Sequence, residues 1–122
     1  MLELLLGPPL GLPGTLLMRE MCDPSPALPH IVAHFIVPVK REMEEIVAAL
    51  APRLTPAAVE RCVFSIVGQV FFCRTHWQAL RHLSEAVAVD RPALTAIADH
   101  IATFSLGGME WLAGAPRRRA VR

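Results

Sequence analysis

Residues 55–77 read TPAAVERCVFSIVGQVFFCRTHW, and this stretch decides the fold. It opens as a helix opens. Thr55 suits the N-cap, and Pro56 suits the first helical position, where its missing N–H costs nothing. From Cys62 to Cys73 only Ser65, Gly68 and Gln69 interrupt the apolar run. A surface helix shows one apolar stripe. This one is apolar on most sides, so it reads as the central helix of a bundle, covered by other helices or by a second subunit. Ser65 and Gly68 are small enough to let another helix approach closely. Gln69 is the odd member, since a buried amide left without partners costs on the order of 1–3 kcal/mol.

Upstream of that helix, apolar residues recur at spacings of three and four: Leu28, Ile31, Val32, Phe35, Ile36, Val39, Met43, Ile46, Val47 and Leu50. The pattern predicts an amphipathic helix from Pro26 to about Leu50, with Ser25 as its N-cap. Lys40 with Glu44, and Arg41 with Glu45, sit one turn apart as opposite charges. Pro38 removes one backbone bond and should kink this helix near His34, and Pro52 ends it. Before it, Thr15 to Met21 suits a short helix capped by Thr15 and broken by Asp23-Pro24. Residues 1–14 are Leu-, Pro- and Gly-rich and read as an irregular leader.

Downstream, Trp77, Leu80 and Leu83 carry a weaker helical stripe to about Val87. Asp90-Arg91-Pro92 starts a last helix, to about Leu112. Its inward positions are expected at Leu94, Ile97, Ala98, Ile101, Ala102, Phe104, Ser105, Gly108 and Leu112, a face lined with small residues that favours a close helix–helix seam. The organisation is a leader (1–14), a helical domain (15–113) and a basic tail (114–122). The class is all-α, with no repeat and no convincing strand.

Composition narrows the function. The 122 residues are 53% hydrophobic, with a mean hydropathy of +0.42, high for a soluble monomer. A membrane-spanning helix needs about 20 apolar residues in a row. The run at 62–73 is shorter and flanked by Arg61 and Arg74, so the expectation is a cytoplasmic protein whose apolar surface is covered by a partner. Four of the 12 basic residues are Arg117, Arg118, Arg119 and Arg122. The rest of the chain holds eight basic against eleven acidic side chains, a poor surface for nucleic acid. Cys22, Cys62 and Cys73 form no CxxC and are odd in number, which argues against a disulfide framework.

Little points to catalysis. His30 and His34 share a helix face and could chelate a metal, but a third ligand is lacking, and boundary histidines are the simpler reading. Cys73 and His76 could pair, but a thiol enzyme also needs an orienting group and an oxyanion site. There is no phosphate loop, no GxSxG and no paired-carboxylate signature. The expectation is no enzyme activity, no metal and no cofactor. Arg19, His34, Gln69, Arg74 and His76 are polar residues set in apolar faces, a pattern that fits a small-molecule pocket.

Taken together, LLMREMCDPSPALPHIVAHFIVPV (16–39), VFSIVGQVFFCRTHW (63–77) and ALTAIADHIATFSLGGME (93–110) resemble the C-terminal half of TetR-family transcriptional repressors. The matching features are Arg19-Glu20-Met21, Pro24 to Leu28, Gly68-Gln69, Phe72 with Arg74, and His100-Ile101 with Phe104-Ser105-Leu106. The resemblance covers about residues 15–112. It implies an effector-binding and dimerisation domain in which the last two long helices form a four-helix bundle with those of a second copy. Dimer contacts are then expected from Val63, Ile66, Val70, Ala98, Ile101, Ala102 and Ser105. Pocket groups for an unknown small-molecule effector are expected at Met18, Phe35, Gln69, Phe72 and Arg74.

TetR-like repressors begin with a three-helix DNA-binding head, and nothing before Thr15 resembles one. The expectation is therefore a ligand-sensing, dimerising domain that reaches DNA only through a head not present in this sequence, with no membrane partner. The alternative is a standalone helical module that forms mixed dimers with an intact regulator.

Overall fold

The computed structural model describes residues 12–83 and 91–114, and every regular element among them is helical. In order these are α1 (Leu12–Cys22), α2 (Leu28–Ile31), a π-helical turn (Val32–Ile36), α3 (Val37–Leu50), α4 (Pro56–Thr75), α5 (Trp77–Leu83) and α6 (Arg91–Gly114). The all-α expectation holds for these residues. The leader up to Gly11 and the arginine tail lie outside them.

Helix α4 begins as its sequence dictates. Thr55 is extended (φ −72°, ψ 155°), and its hydroxyl accepts from the Ala58 N–H at 3.3 Å. Pro56 takes the first helical position. At the other end of the α3–α4 turn, α3 closes with Ala51 N–H on the Val47 carbonyl (2.9 Å), just before Pro52.

Three boundaries differ from the periodicity reading. Helix α1 starts at Leu12, so Thr15 lies inside it and the leader is shorter than residues 1–14. The next helix starts at Leu28 rather than Pro26, and Pro29 rather than Pro26 occupies its first turn. The cause is visible in the preceding turn. Ser25 does not cap the helix. Its N–H donates to Glu20 Oε2 (3.0 Å), its hydroxyl lies 2.9 and 2.8 Å from the two Glu20 oxygens, and the same Oγ accepts from Ala27 N–H (3.1 Å). Pro26 and Ala27 are held in that turn. Third, α5 ends at Leu83, and the stripe expected to reach Val87 passes outside the described residues.

Pro38 acts one turn upstream of itself. A proline in a helix clashes with the carbonyl four residues back, here His34. The backbone answers by widening: the Val37 N–H bonds to the Val32 carbonyl, five residues back, across the π turn. The expected kink is thus a local change of helical type.

The core lies where three helices meet. Val47 and Ala51 from the α3 end, Val59, Cys62 and Val63 from α4, and Met109 from α6 form one buried cluster, with Met43, Leu54, Ile66 and Val67 packed against it. Met109 meets the start of α4, while Ser105 meets Gln69 further along. Helices α4 and α6 therefore run antiparallel. On the far side of α4, Lys40 Nζ bridges Glu44 (2.6 Å) and Glu60 (3.0 Å), which ties α3 to α4, and lies 5.9 Å above the Phe64 ring. The hydrogen bonds that the Lys40 ammonium donates to these carboxylates, Glu44 first, hold it above its ordinary pKa.

This core is small. Among the described residues eight apolar side chains are buried, whereas twelve large hydrophobic ones are exposed. Phe104 (66%) and Leu112 (54%), expected to face inward, are among the exposed, because α6 meets only α4 along most of its length. Gly108 and Ala102 are exposed for the same reason. Helix α4 contains a window, Pro56–Cys73, long and apolar enough by composition alone to cross a membrane. Its packing between α3 and α6, and the Lys40–Glu60 bridge, account for the same pattern as a bundle's central helix.

Two outcomes follow for stability. Met109→Ala removes the α6 contribution to the cluster and should cost about 2–5 kcal/mol in urea denaturation. The hydrogen bonds that Glu20 accepts from Ser25, backbone first, lower the Glu20 pKa. A lowered folded-state pKa adds stability above the unfolded value and loses it as pH falls through the folded one. A melting series from pH 6 downward should show that loss in the wild type, with a smaller slope in Glu20→Gln.

Candidate functional site

Between α4 and α6 runs an open groove of about 760 Å³. Its α4 wall is Ser65, Gly68, Gln69, Phe72 and Cys73; its α6 wall is Ala93, Ala96, Ile97, His100, Ile101 and Phe104. The helical repeat explains the membership. Positions 65, 68, 69 and 72 share one face of α4, and positions 93, 97, 100 and 104 share one face of α6. The small residues make the floor. A Cβ added at Gly68 would meet nothing within 4 Å, so the space above it is open.

The rims are aromatic. On α4, Phe72 stacks on His76 (centroids 4.5 Å apart, 22° between planes). On α6, His100 stacks on Phe104 (6.1 Å, 23°). Both phenylalanines are about half or more exposed, at 52% and 66%. Two phenylalanine–histidine pairs thus flank a mostly apolar trough.

One polar group crosses it. Gln69 Nε2 donates to the Ser65 carbonyl one turn back (3.2 Å) and to Ser105 Oγ on α6 (3.4 Å). A backbone carbonyl can only accept, so the amide nitrogen must face it, and this fixes the orientation of the side chain. The Gln69 Oε1 receives no hydrogen bond from the described residues.

The residues anticipated from sequence divide. Gln69 and Phe72 line the groove. Met18 and Phe35 do not: Met18 is half-buried on α1, and Phe35 is 66% exposed on the π turn. The family resemblance suggested them as pocket groups, but they belong to elements that do not border α6 among the described residues. The Arg74 side chain lies outside the description. Of the seven dimer positions, Val63, Val70 and Ile101 are buried within the chain itself. An interface residue must be reachable from outside, so these three can only back an interface. Ile66, Ala98 and Ser105 are half-buried, and Ala102 is exposed. His100 and Phe104 were missed as site residues; the signal was their spacing of four on a helix whose opposite face is small.

The remaining polar candidates point away from catalysis. Burial pushes the Cys73 thiol up, the reverse of what a nucleophile needs. His76 Nδ1 faces Thr75 Oγ1 (2.8 Å) and the Phe72 carbonyl (3.3 Å) rather than Cys73. His30 and His34 are exposed, with rings edge to face at 4.1 Å. No group of three metal-ligating side chains occurs among the described residues.

Because the space above Gly68 is open, Gly68→Ala should not clash. It should raise stability by roughly 0.5–1 kcal/mol through helix propensity alone. A lower melting temperature would mean that the groove floor is closed.

No curated protein and no solved structure matches the chain. A family model does: the one described as the C-terminal domain of the HTH-type transcriptional dual regulator CecR matches residues 7–109. The chain belongs to this family of TetR-type regulator C-terminal domains.

Proposed function

We propose that the chain is the ligand-sensing and dimerisation domain of a TetR-like transcriptional repressor, working in the cytoplasm as a homodimer. The observation that carries this reading is the uncovered face of the α4–α6 pair. Helix α3 covers the core side of α4, and among the described residues nothing covers the groove side. Apolar surface exposed on this scale marks an interaction site. A second α4–α6 pair laid against this face makes a four-helix bundle, with Gly68, Ile97 and Phe104 at the seam and Val63 and Val70 buried behind it; Ala98, Ala102 and Ser105 do not line this face. Closed two-fold assembly is the commonest solution for such a self-complementary face.

The regulator reading follows from the family. A domain that dimerises can set the spacing of two DNA-reading heads, and a small molecule that prefers one dimer geometry shifts that spacing. DNA contact is left to the helix-turn-helix part carried in the family's name. The effector is placed near Gln69 and Phe72, where a polar group and an aromatic ring meet on one wall.

Light scattering behind a sizing column tests the assembly. The wild-type chain should run at twice its 13.4 kDa mass. Phe104 is exposed on the groove wall of the single chain, so Phe104→Arg should leave the helical dichroism intact and give a monomer. A wild-type monomer, or a dimer untouched by Phe104→Arg, contradicts the seam.

A further inference from the structure

We propose that His30 and His34 form a two-imidazole site for a divalent transition-metal ion of the nickel and copper class, where α2 runs into the π turn. The site uses no residue of the α4–α6 groove and stands independently of the dimer reading. Three observations carry it. The two rings lie side by side, with centroids 4.1 Å apart. Both side chains are exposed, and neither ring makes a hydrogen bond with any described residue. Ring nitrogens in that state are open to a metal. The third observation is the backbone between them. In an α-helix, residues four apart overshoot a full turn by about 40°. The Val32–Ile36 π turn begins between the two histidines and winds less per residue, so the overshoot shrinks. The widening that Pro38 imposes thus sets His34 more squarely over His30.

The metal class follows from the donors. Imidazole suits nickel, copper and zinc, whereas magnesium and calcium take oxygen. Two nitrogens bound at about 2.1 Å on neighbouring corners of one coordination sphere stand about 3 Å apart. Exposed rings at the observed spacing reach that by turning about their own side-chain bonds. Zinc sites are built on three or four protein ligands, and no third ligating side chain joins this pair among the described residues. Nickel and copper take mixed nitrogen and oxygen donors, so water fills the positions the two imidazoles leave. The bound ion closes a ring across one helical turn. It therefore binds the folded α2–π junction better than the unfolded chain and stabilises it.

The test titrates nickel chloride alone into the full chain by calorimetry. Nickel is the probe because it leaves the exposed Cys22 thiol unoxidised. The wild type should take up one equivalent saturably, and magnesium chloride should give no binding heat. His30→Ala and His34→Ala each leave a single imidazole. Each should weaken nickel binding about a hundredfold, the gain from making the second contact intramolecular. Both positions are exposed, so the helical dichroism should not change. The double variant His30→Ala/Ala33→His again has two exposed histidines, now at neighbouring positions that do not face each other. It should stay as weak as the single variants. Nickel should raise the melting temperature of the wild type and leave that of the variants where it was. Wild-type affinity in the double variant overturns the pairing. Unchanged binding in either single variant, or loss of binding in Cys22→Ser, places the metal elsewhere and overturns the site, as does a wild type with no saturable uptake.

Discussion

Helix α4 carries more apolar surface than the other described residues cover, and the rest of the structure is arranged around that excess. Its core face takes Val47 and Ala51 from the α3 end and Met109 from α6. The Lys40 bridge to Glu44 and Glu60 fixes how α3 lies along it. The groove face receives only the edge of α6. A helix in water gains most of its stability from packing an apolar face rather than from intrinsic propensity. The half of α4 that packs is therefore the half that holds the domain together, and the half that does not is the half left for a function.

The small residues on that second face have a physical meaning in this setting. Glycine within a helix costs roughly 1 kcal/mol relative to alanine. Gly68 on α4, and Gly107 and Gly108 on α6, have open space where a Cβ would be, so no described residue requires them. Packing within the protomer does not explain them, whereas close approach of something from outside would. On α4 the buried side runs through Val63 and the open side through Gly68.

Much of this was legible in the sequence, and the rest was not for definable reasons. Thr55 and Pro56 placed the start of α4 because a cap and a first-turn proline are local chemistry. The all-α class followed from spacing. Gln69 stood out because it was the one amide in an apolar run. What spacing cannot supply is the neighbour. Met18 and Phe35 were expected in a pocket, and nothing in their spacing told that α1 and the π turn lie away from α6. It marked Val63 and Ile101 as apolar without saying whether the chain or a partner would cover them. The Pro26 boundary failed differently. Glu20 reaches across five residues to Ser25 and takes it out of the capping role, a side-chain bond that no periodicity encodes.

The α4–α6 contact also bears on how such a domain could switch. Along the groove the two helices share small side chains, the buried Val70 and Ile101, and one polar link, Gln69 to Ser105 at 3.4 Å. A neutral hydrogen bond in a half-exposed place is worth on the order of 1 kcal/mol, and shallow contacts between small residues resist sliding less than interlocked large ones. The other end of the pair is different: Met109 is locked among Val59, Cys62 and Val63. Any change of crossing angle would pivot about the Met109 cluster and be felt most at Phe72 and His100. A molecule touching both walls there acts at the longest lever arm from that pivot, so a modest difference in affinity between two crossing angles suffices to shift their populations.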